Sequence, residues 1–161
     1  MNTKFRKTTY RGLREFFADL GILVTNGRAI VDMMRKGTVS REFRERLMLA
    51  VTSVYGCRFC SWAHTREALK RGLSQDDITS LLSGSMVGCP AEEALAILYA
   101  QHWAESNGRP DAMSFQRLVE VYGKEKAAAI TLVLRMVRVG NLTGNSWDYL
   151  LYRATFGRWV R

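Results

Sequence analysis

Apolar side chains recur at three- and four-residue spacing along most of this chain, and this pattern constrains its fold more than any other feature. The first clear stripe consists of Leu13, Phe16, Phe17, Leu20 and Val24, which would share one face of a helix. No segment alternates between apolar and polar residues over a length that requires a strand. The chain is therefore predicted to be an all-α helical bundle.

Capping and breaking residues divide this pattern into successive helices. Ser40 and Gly56 bound a predicted helix over Arg41 to Tyr55, and Ser74 starts another whose first turn carries carboxylates. The other predicted boundaries are Asn26-Gly27 after the first stripe, a short helix to about Lys36, Pro90 at a helix start, a loop over 107–110, an Asp111 cap, a break at Gly123, a buried helix from Lys124 to Val139, and a turn from Asn141 to Asn145 before the last helix.

The chain has 161 residues, the size of one ordinary domain. We predict that residues 1–36 form an N-terminal helical extension or oligomer arm, and that residues 37–161 form the core. Three cysteines are too few for a secreted disulfide framework, and the N-terminus has no apolar run ending in a cleavage site. A cytoplasmic location is therefore expected. No apolar stretch is long enough to span a bilayer, so no membrane association is predicted.

The net charge is +9, from 24 basic and 15 acidic side chains. Such a surface attracts anions in general. No zinc-finger spacing, aromatic ribonucleoprotein motif or glycine-rich clamp accompanies it, so nucleic-acid binding is not expected. A solvated basic surface is the preferred interpretation.

The stretch from Cys57 to His64 carries the strongest chemical signal, because two cysteines three residues apart are followed by a histidine. In a helix over about Cys57 to Arg71, the side chains of Cys57, Cys60 and His64 project from one face. The two thiols can close a disulfide, and the imidazole can take or deliver a proton. This arrangement predicts redox chemistry.

Spacing alone does not decide which thiol attacks a substrate. A helix N-terminus and Arg58 would stabilise a thiolate at Cys57. Proximity to His64 favours Cys60, because residues four apart on a helix are neighbours. We predict that Cys60 attacks and that Cys57 resolves.

A metal site is the alternative interpretation of the same residues. Cys57, Cys60 and His64 could bind zinc with Cys89 or His102 as a fourth ligand. Ligands on one regular helix are unlike the arrangement of structural zinc sites, so no metal is predicted. His102 and Cys89 are otherwise expected to be structural.

A longer pattern connects Glu45 to the cysteine pair as Glu-x11-Cys-x2-Cys-x3-His. With Arg-Glu-Arg-Leu-x-Leu-Ala-Val around Glu45 and Ala-His-x-x-x-Ala-x-x-x-Gly-Leu-Ser after the second cysteine, the pattern resembles the alkylhydroperoxidase D-like group of the carboxymuconolactone decarboxylase family. The resemblance is specific over 41–82. It is looser over 90–152, where Asn141 and Thr143-Gly144-Asn145 resemble the end of the family's core.

The resemblance implies a helical fold that assembles into homotrimers or homohexamers with the site near a subunit interface. It also implies hydroperoxide reduction by Cys60, with Cys57 resolving, His64 as base and proton relay, and Glu45 orienting that relay. The only cofactor implied is the redox-active disulfide itself, recycled by a reducing partner protein or dithiol. The decarboxylases of the family lack the cysteine pair, which argues against their lactone chemistry here.

Two classes of function follow. The first is a thiol peroxidase or disulfide reductase acting on a hydroperoxide or disulfide substrate. The second is a non-enzymatic, redox-responsive oligomeric binding module. Only the first predicts catalytic turnover with an excess of dithiol.

Overall fold

The computed structural model describes residues 5–158, and these residues form seven helices with no strand. The all-α prediction is thereby confirmed. The helices are α1 (Leu13–Thr25), α2 (Gly27–Lys36), α3 (Arg41–Tyr55), α4 (Arg58–Lys70), α5 (Gln75–Leu82), α6 (Ala91–Glu105) and α7 (Ala112–Ala154). Within the described chain, no helix is long and apolar enough to cross a membrane.

At the predicted helix N-termini, capping side chains accept hydrogen bonds from backbone N–H groups that have no partner within the helix. The Ser40 hydroxyl accepts the Phe43 N–H at 3.1 Å, and the Ser74 hydroxyl accepts the Asp77 N–H at 3.0 Å. Asp111 caps α7 in the same way. These short-range contacts explain why the helix boundaries could be predicted from the sequence.

Helix α3 lies at the centre of the bundle and packs against α4, α5, α6 and α7. Its Leu47 and Leu49 are fully buried, as are Ile97 of α6 and Leu134 of α7. Truncating such a side chain to alanine typically costs about 2–5 kcal/mol of stability. The two helices that carry the motif residues are therefore fixed by the main core.

Helix α7 confirms one prediction and corrects another. Gly123 interrupts it with a positive φ of 77°, as predicted. The predicted turn over Asn141 to Asn145 is wrong, because the helix continues through these residues. Both asparagines are completely buried, and the Asn141 amide donates to the Thr52 hydroxyl of α3 at 3.1 Å. Asparagine is typical of surface turns, but here both side chains donate hydrogen bonds to backbone and side-chain groups inside the bundle.

The chain before the core packs back onto α7. Residues 5–10, which we call the N-terminal segment, run along the last turns of α7, and α1 packs on α7 through Arg138. The Arg138 guanidinium pairs with Glu15 at 2.9 Å and also with Asp19. The division at residue 36 and the role as an oligomer arm stay predictions, and residues 1–4 and 159–161 lie outside the described range.

The apolar stripe of α1 is only partly covered by the rest of the chain. Leu13, Phe17 and Val24 are 74 %, 60 % and 72 % exposed. The helix contains no buried residue. Its helical conformation is as predicted, but its apolar face contributes little to this chain's own core.

Candidate redox site

Cys57 occupies the junction between α3 and α4. Gly56 ends α3 in the left-handed conformation (φ 66°, ψ 30°), and Cys57 is the N-cap of α4. The Cys57 Sγ accepts the Cys60 backbone N–H at 3.2 Å. The thiol therefore takes the place that a serine or aspartate oxygen takes at other helix starts.

The two cysteines are reduced, and their Sγ atoms lie 2.6 Å apart. Both side chains are buried, with Cys57 1 % exposed and Cys60 5 % exposed. The separation is close to what a disulfide requires, so a small adjustment would bond the two atoms. The structure thus brings together the two thiols that the spacing singled out.

The hydrogen bond from the Cys60 thiol lowers the pKa of Cys57 to about 7, although burial opposes the shift. The backbone N–H of Cys60 and the charge of Lys7 also lower this pKa, and Asp148 raises it. The same thiol–thiol bond, together with burial, raises the pKa of Cys60. When the pair loses a proton, the negative charge is therefore favoured at Cys57 rather than at Cys60.

Glu45 of α3 forms a hydrogen bond with His64, which lies one helical turn after Cys60 on α4. His64 Nδ1 lies 3.1 Å from Glu45 Oε2, and both side chains are largely buried. When Nδ1–H donates to the carboxylate, Nε2 remains available to exchange a proton. The register between α3 and α4 thus joins two of the predicted site residues in one hydrogen bond.

The backbone of α7 covers the cysteines at Gly144. A Cβ atom on this residue would lie 2.8 Å from Cys57 Sγ and 3.9 Å from Cys60 Sγ. The next residue, Asn145, donates to the Tyr55 carbonyl at 2.8 Å and so ties α7 to the end of α3. The prediction located the Thr143-Gly144-Asn145 motif but placed it in a turn. The i, i+4 spacing of Asn141 and Asn145 was the available signal that both lie on one face of a helix.

An ion-pair cluster next to Cys57 was missed by the sequence analysis. Lys7 Nζ lies 2.7 Å from Asp148 Oδ2, and Arg58 Nη2 lies 3.4 Å from Asp148 Oδ1. Lys7 is largely buried, whereas the Arg58 side chain is half-exposed. The predicted cation, Arg58, thus shares its carboxylate with a lysine from the start of the chain.

The remaining candidate residues lie apart from this site. His102 Nε2 contacts Asp111 Oδ2 at 2.9 Å at the start of α7. Burial raises the pKa of the half-buried Cys89 thiol. Within residues 5–158, no three His, Cys, Asp or Glu side chains converge as metal ligands would.

Residues 25–101 match the model of the carboxymuconolactone decarboxylase family. No curated protein and no solved structure gives a significant match to the chain. The matched range contains Glu45, Cys57, Cys60 and His64. It does not contain Lys7, Gly144 or Asp148, which complete the surroundings of the pair.

Proposed function

We propose that the cysteine pair makes this chain a thiol-dependent hydroperoxide reductase, since residues 25–101 match the model of the carboxymuconolactone decarboxylase family. The observation that carries this proposal is the buried Cys57–Cys60 pair, with the Glu45–His64 hydrogen bond one helical turn further along α4. A site of this kind contains a thiolate, a second thiol at bonding distance and a group that can move protons.

In the first step, His64 takes the proton of Cys60 and the resulting thiolate attacks one oxygen of the hydroperoxide. The O–O bond breaks, Cys60 becomes a sulfenic acid, and the alkoxide leaves with the proton from His64 as an alcohol. The peroxide is reduced by two electrons and Cys60 is oxidised by two. Glu45 stabilises the imidazolium that forms between these events.

In the second step, the Cys57 thiolate attacks the sulfur of the Cys60 sulfenic acid. The S–O bond breaks, a disulfide forms, and the hydroxide takes a proton from the solvent and leaves as water. The backbone N–H of Cys60 and the charge of Lys7 favour the Cys57 anion at this stage as well, which suits Cys57 to the role of resolving thiol.

An external dithiol then reduces the disulfide. Thiol–disulfide exchange is faster when the leaving sulfur has the lower thiol pKa, which favours Cys57 as the leaving group and Cys60 as the sulfur attacked. Cys60 is also the slightly more exposed of the two. These considerations support the Cys60 sulfur as the atom that reacts with both the substrate and the reductant.

The proposed assembly and surroundings follow from the family resemblance. We propose a homotrimer or homohexamer in a reducing compartment such as the cytoplasm, served by a reducing partner protein or a small dithiol. A disulfide substrate would enter the same cycle at Cys60. No resident cofactor is needed, since the disulfide carries the two electrons.

The roles of the two thiols can be tested by trapping the sulfenic acid with a carbon nucleophile after one addition of hydroperoxide. Cys57→Ser should accumulate an adduct at Cys60, and Cys60→Ser should form none at Cys57. Cys89→Ser is the matched control and should behave as the native chain does. An adduct at Cys57 in the Cys60→Ser chain would reverse the roles.

A second candidate function is a redox-responsive binding module without turnover. It is favoured by the outer face of α4, where Phe59 and Trp62 are 69 % and 58 % exposed and their rings lie 5.9 Å apart. Such a face next to a redox pair could bind a partner in one oxidation state only. In that case hydroperoxide would oxidise the pair once and consumption would stop, even with excess dithiol.

A further inference from the structure

We propose that Lys7 is a positioning residue for the redox pair, and that its ammonium group stabilises the Cys57 thiolate from the N-terminal segment. The proposal deepens the proposed function, because it concerns the same thiolate. It assigns a role to a part of the chain that precedes the matched residues 25–101.

The N-terminal segment is held on both sides of Lys7. Before it, the Phe5 ring packs against Tyr149 and Tyr152, with ring centroids 5.3 Å and 5.7 Å apart. After it, the Thr8 carbonyl accepts the Asn145 amide at 3.0 Å. Tyr10 N–H then donates to the Ser146 hydroxyl at 3.1 Å. The segment thus runs antiparallel to α7, and Lys7 has little freedom to leave its position.

The Lys7 ammonium group lies at the part of α7 that covers the cysteine pair. Asp148, its 2.7 Å partner, lies one helical turn after Gly144, so the two share a face of α7. Gly144 is the residue whose Cβ position would contact Cys57 Sγ. Asp148 also pairs with Arg58, the residue that follows Cys57. The ammonium group is therefore fixed beside the first turn of α4.

Burial makes this charge effective. The side chains of Lys7 and Asp148 are 17 % and 16 % exposed, and a charge in such a place is screened less than one in bulk water. An ammonium group next to a thiol favours the anion. The charge of Lys7 lowers the pKa of Cys57, although by less than the hydrogen bonds from Cys60 do.

Two further groups act on the Cys57 sulfur, Asp148 of α7 and Cys60 of α4. Arg58 pairs with Asp148, and His64, one helical turn after Cys60 on α4, pairs with Glu45 of α3. Asp148 opposes the effect of Lys7 on the pKa of Cys57, so the two groups act with opposite signs. The net effect of Lys7 is then moderate rather than dominant.

The test is a pH titration of the thiolate absorbance of the reduced full-length chain, without hydroperoxide. The variants are Lys7→Met, Lys7→Arg and Arg6→Met. Arg6 is an exposed neighbour, so its replacement removes the same charge from the same segment and serves as the matched control. Mass spectrometry after brief alkylation identifies Cys57 as the thiol that titrates first.

We expect Lys7→Met to raise the midpoint of Cys57 by roughly half a pH unit, as for a partly screened charge. Lys7→Arg should restore the native midpoint, and Arg6→Met should not change it. An unchanged midpoint in Lys7→Met would overturn the proposal, and so would an equal shift in Lys7→Arg. Because no turnover is measured, a chain without peroxidase activity could still pass this test, and an active one could fail it.

Discussion

Gly144 of α7 lies directly over Cys57, so close that a single added methyl carbon would stand 2.8 Å from its sulfur. Such a separation is well inside a normal van der Waals contact, and the neighbour is a buried side chain at a helix cap. The redox pair is therefore shaped by a residue far from the motif in sequence.

The first prediction follows from this contact. Gly144→Ala should lower the free energy of unfolding by about 1–3 kcal/mol, because the methyl group overpacks the site. It should also displace the thiols and slow disulfide formation. Denaturant unfolding and the rate of oxidation by hydroperoxide check both effects.

The control for this change is one turn away. Gly140 lies in the same helix, but a Cβ there meets nothing within 4 Å. Gly140→Ala should leave oxidation unchanged and raise stability by about 0.5–1 kcal/mol through its better helix propensity. Equal behaviour of the two variants would show that the contact with Cys57 has no consequence.

The second prediction concerns the Glu45–His64 pair. His64→Ala should reduce hydroperoxide consumption about a hundredfold or more, the usual contribution of general acid–base catalysis. Glu45→Gln keeps a hydrogen-bonding group at Nδ1 but removes the charge, so a smaller loss is expected. Steady-state kinetics with excess dithiol measures both.

His102 supplies the comparison for His64. It is the other histidine of the chain and contacts a carboxylate, Asp111, away from the redox pair. His102→Ala should therefore retain native activity. If His64→Ala also retained it, the imidazole would have no part in the chemistry.

The third prediction concerns pH and reactivity. With a Cys57 pKa of about 7, alkylation of reduced protein should accelerate as pH rises through about 7 and then level off. Modification should occur first at Cys57, because burial and the thiol–thiol bond raise the pKa of Cys60. A midpoint near the ordinary thiol value of 9.0 would show that the helix N-terminus and the neighbouring thiol do not stabilise the anion.

The fourth prediction concerns the pH dependence of folding stability. Its direction follows from whether the folded or the unfolded chain binds more protons. Between about pH 7 and 9 the unfolded chain keeps a proton on Cys57 that the folded chain has lost, so stability rises with pH. Above 9 the unfolded chain also loses the proton that folded Cys60 retains, and stability falls again. The Cys57→Ser chain should lack the rise between pH 7 and 9, which denaturant unfolding of both reduced chains would reveal.

Much of the helical framework could be predicted because its signals are local. Ser40, Ser74 and Asp111 contact backbone groups three residues away, and Gly56 and Gly123 adopt backbone conformations that favour glycine. The positions of Cys57, Cys60 and His64 also follow from helical register. Such features need no knowledge of the tertiary structure.

The parts that could not be predicted depend on contacts between distant residues. Asn141 and Asn145 suggest a turn by residue type, yet their burial against α3 makes them helical. Lys7 and Asp148 are separated by 141 residues, and no pattern in the sequence links them. The cation nearest in sequence, Arg58, was the obvious candidate for the site, whereas the folded chain also brings Lys7 there.

The most direct measurement is the number of hydroperoxide molecules consumed per chain with excess dithiol, followed for the native protein and for Cys57→Ser, Cys60→Ser and Cys89→Ser. We predict many turnovers for the native and Cys89→Ser chains, and none beyond the first oxidation for Cys60→Ser or Cys57→Ser. Consumption that stops at one equivalent per native chain with every dithiol tried would contradict a peroxidase and favour the binding module.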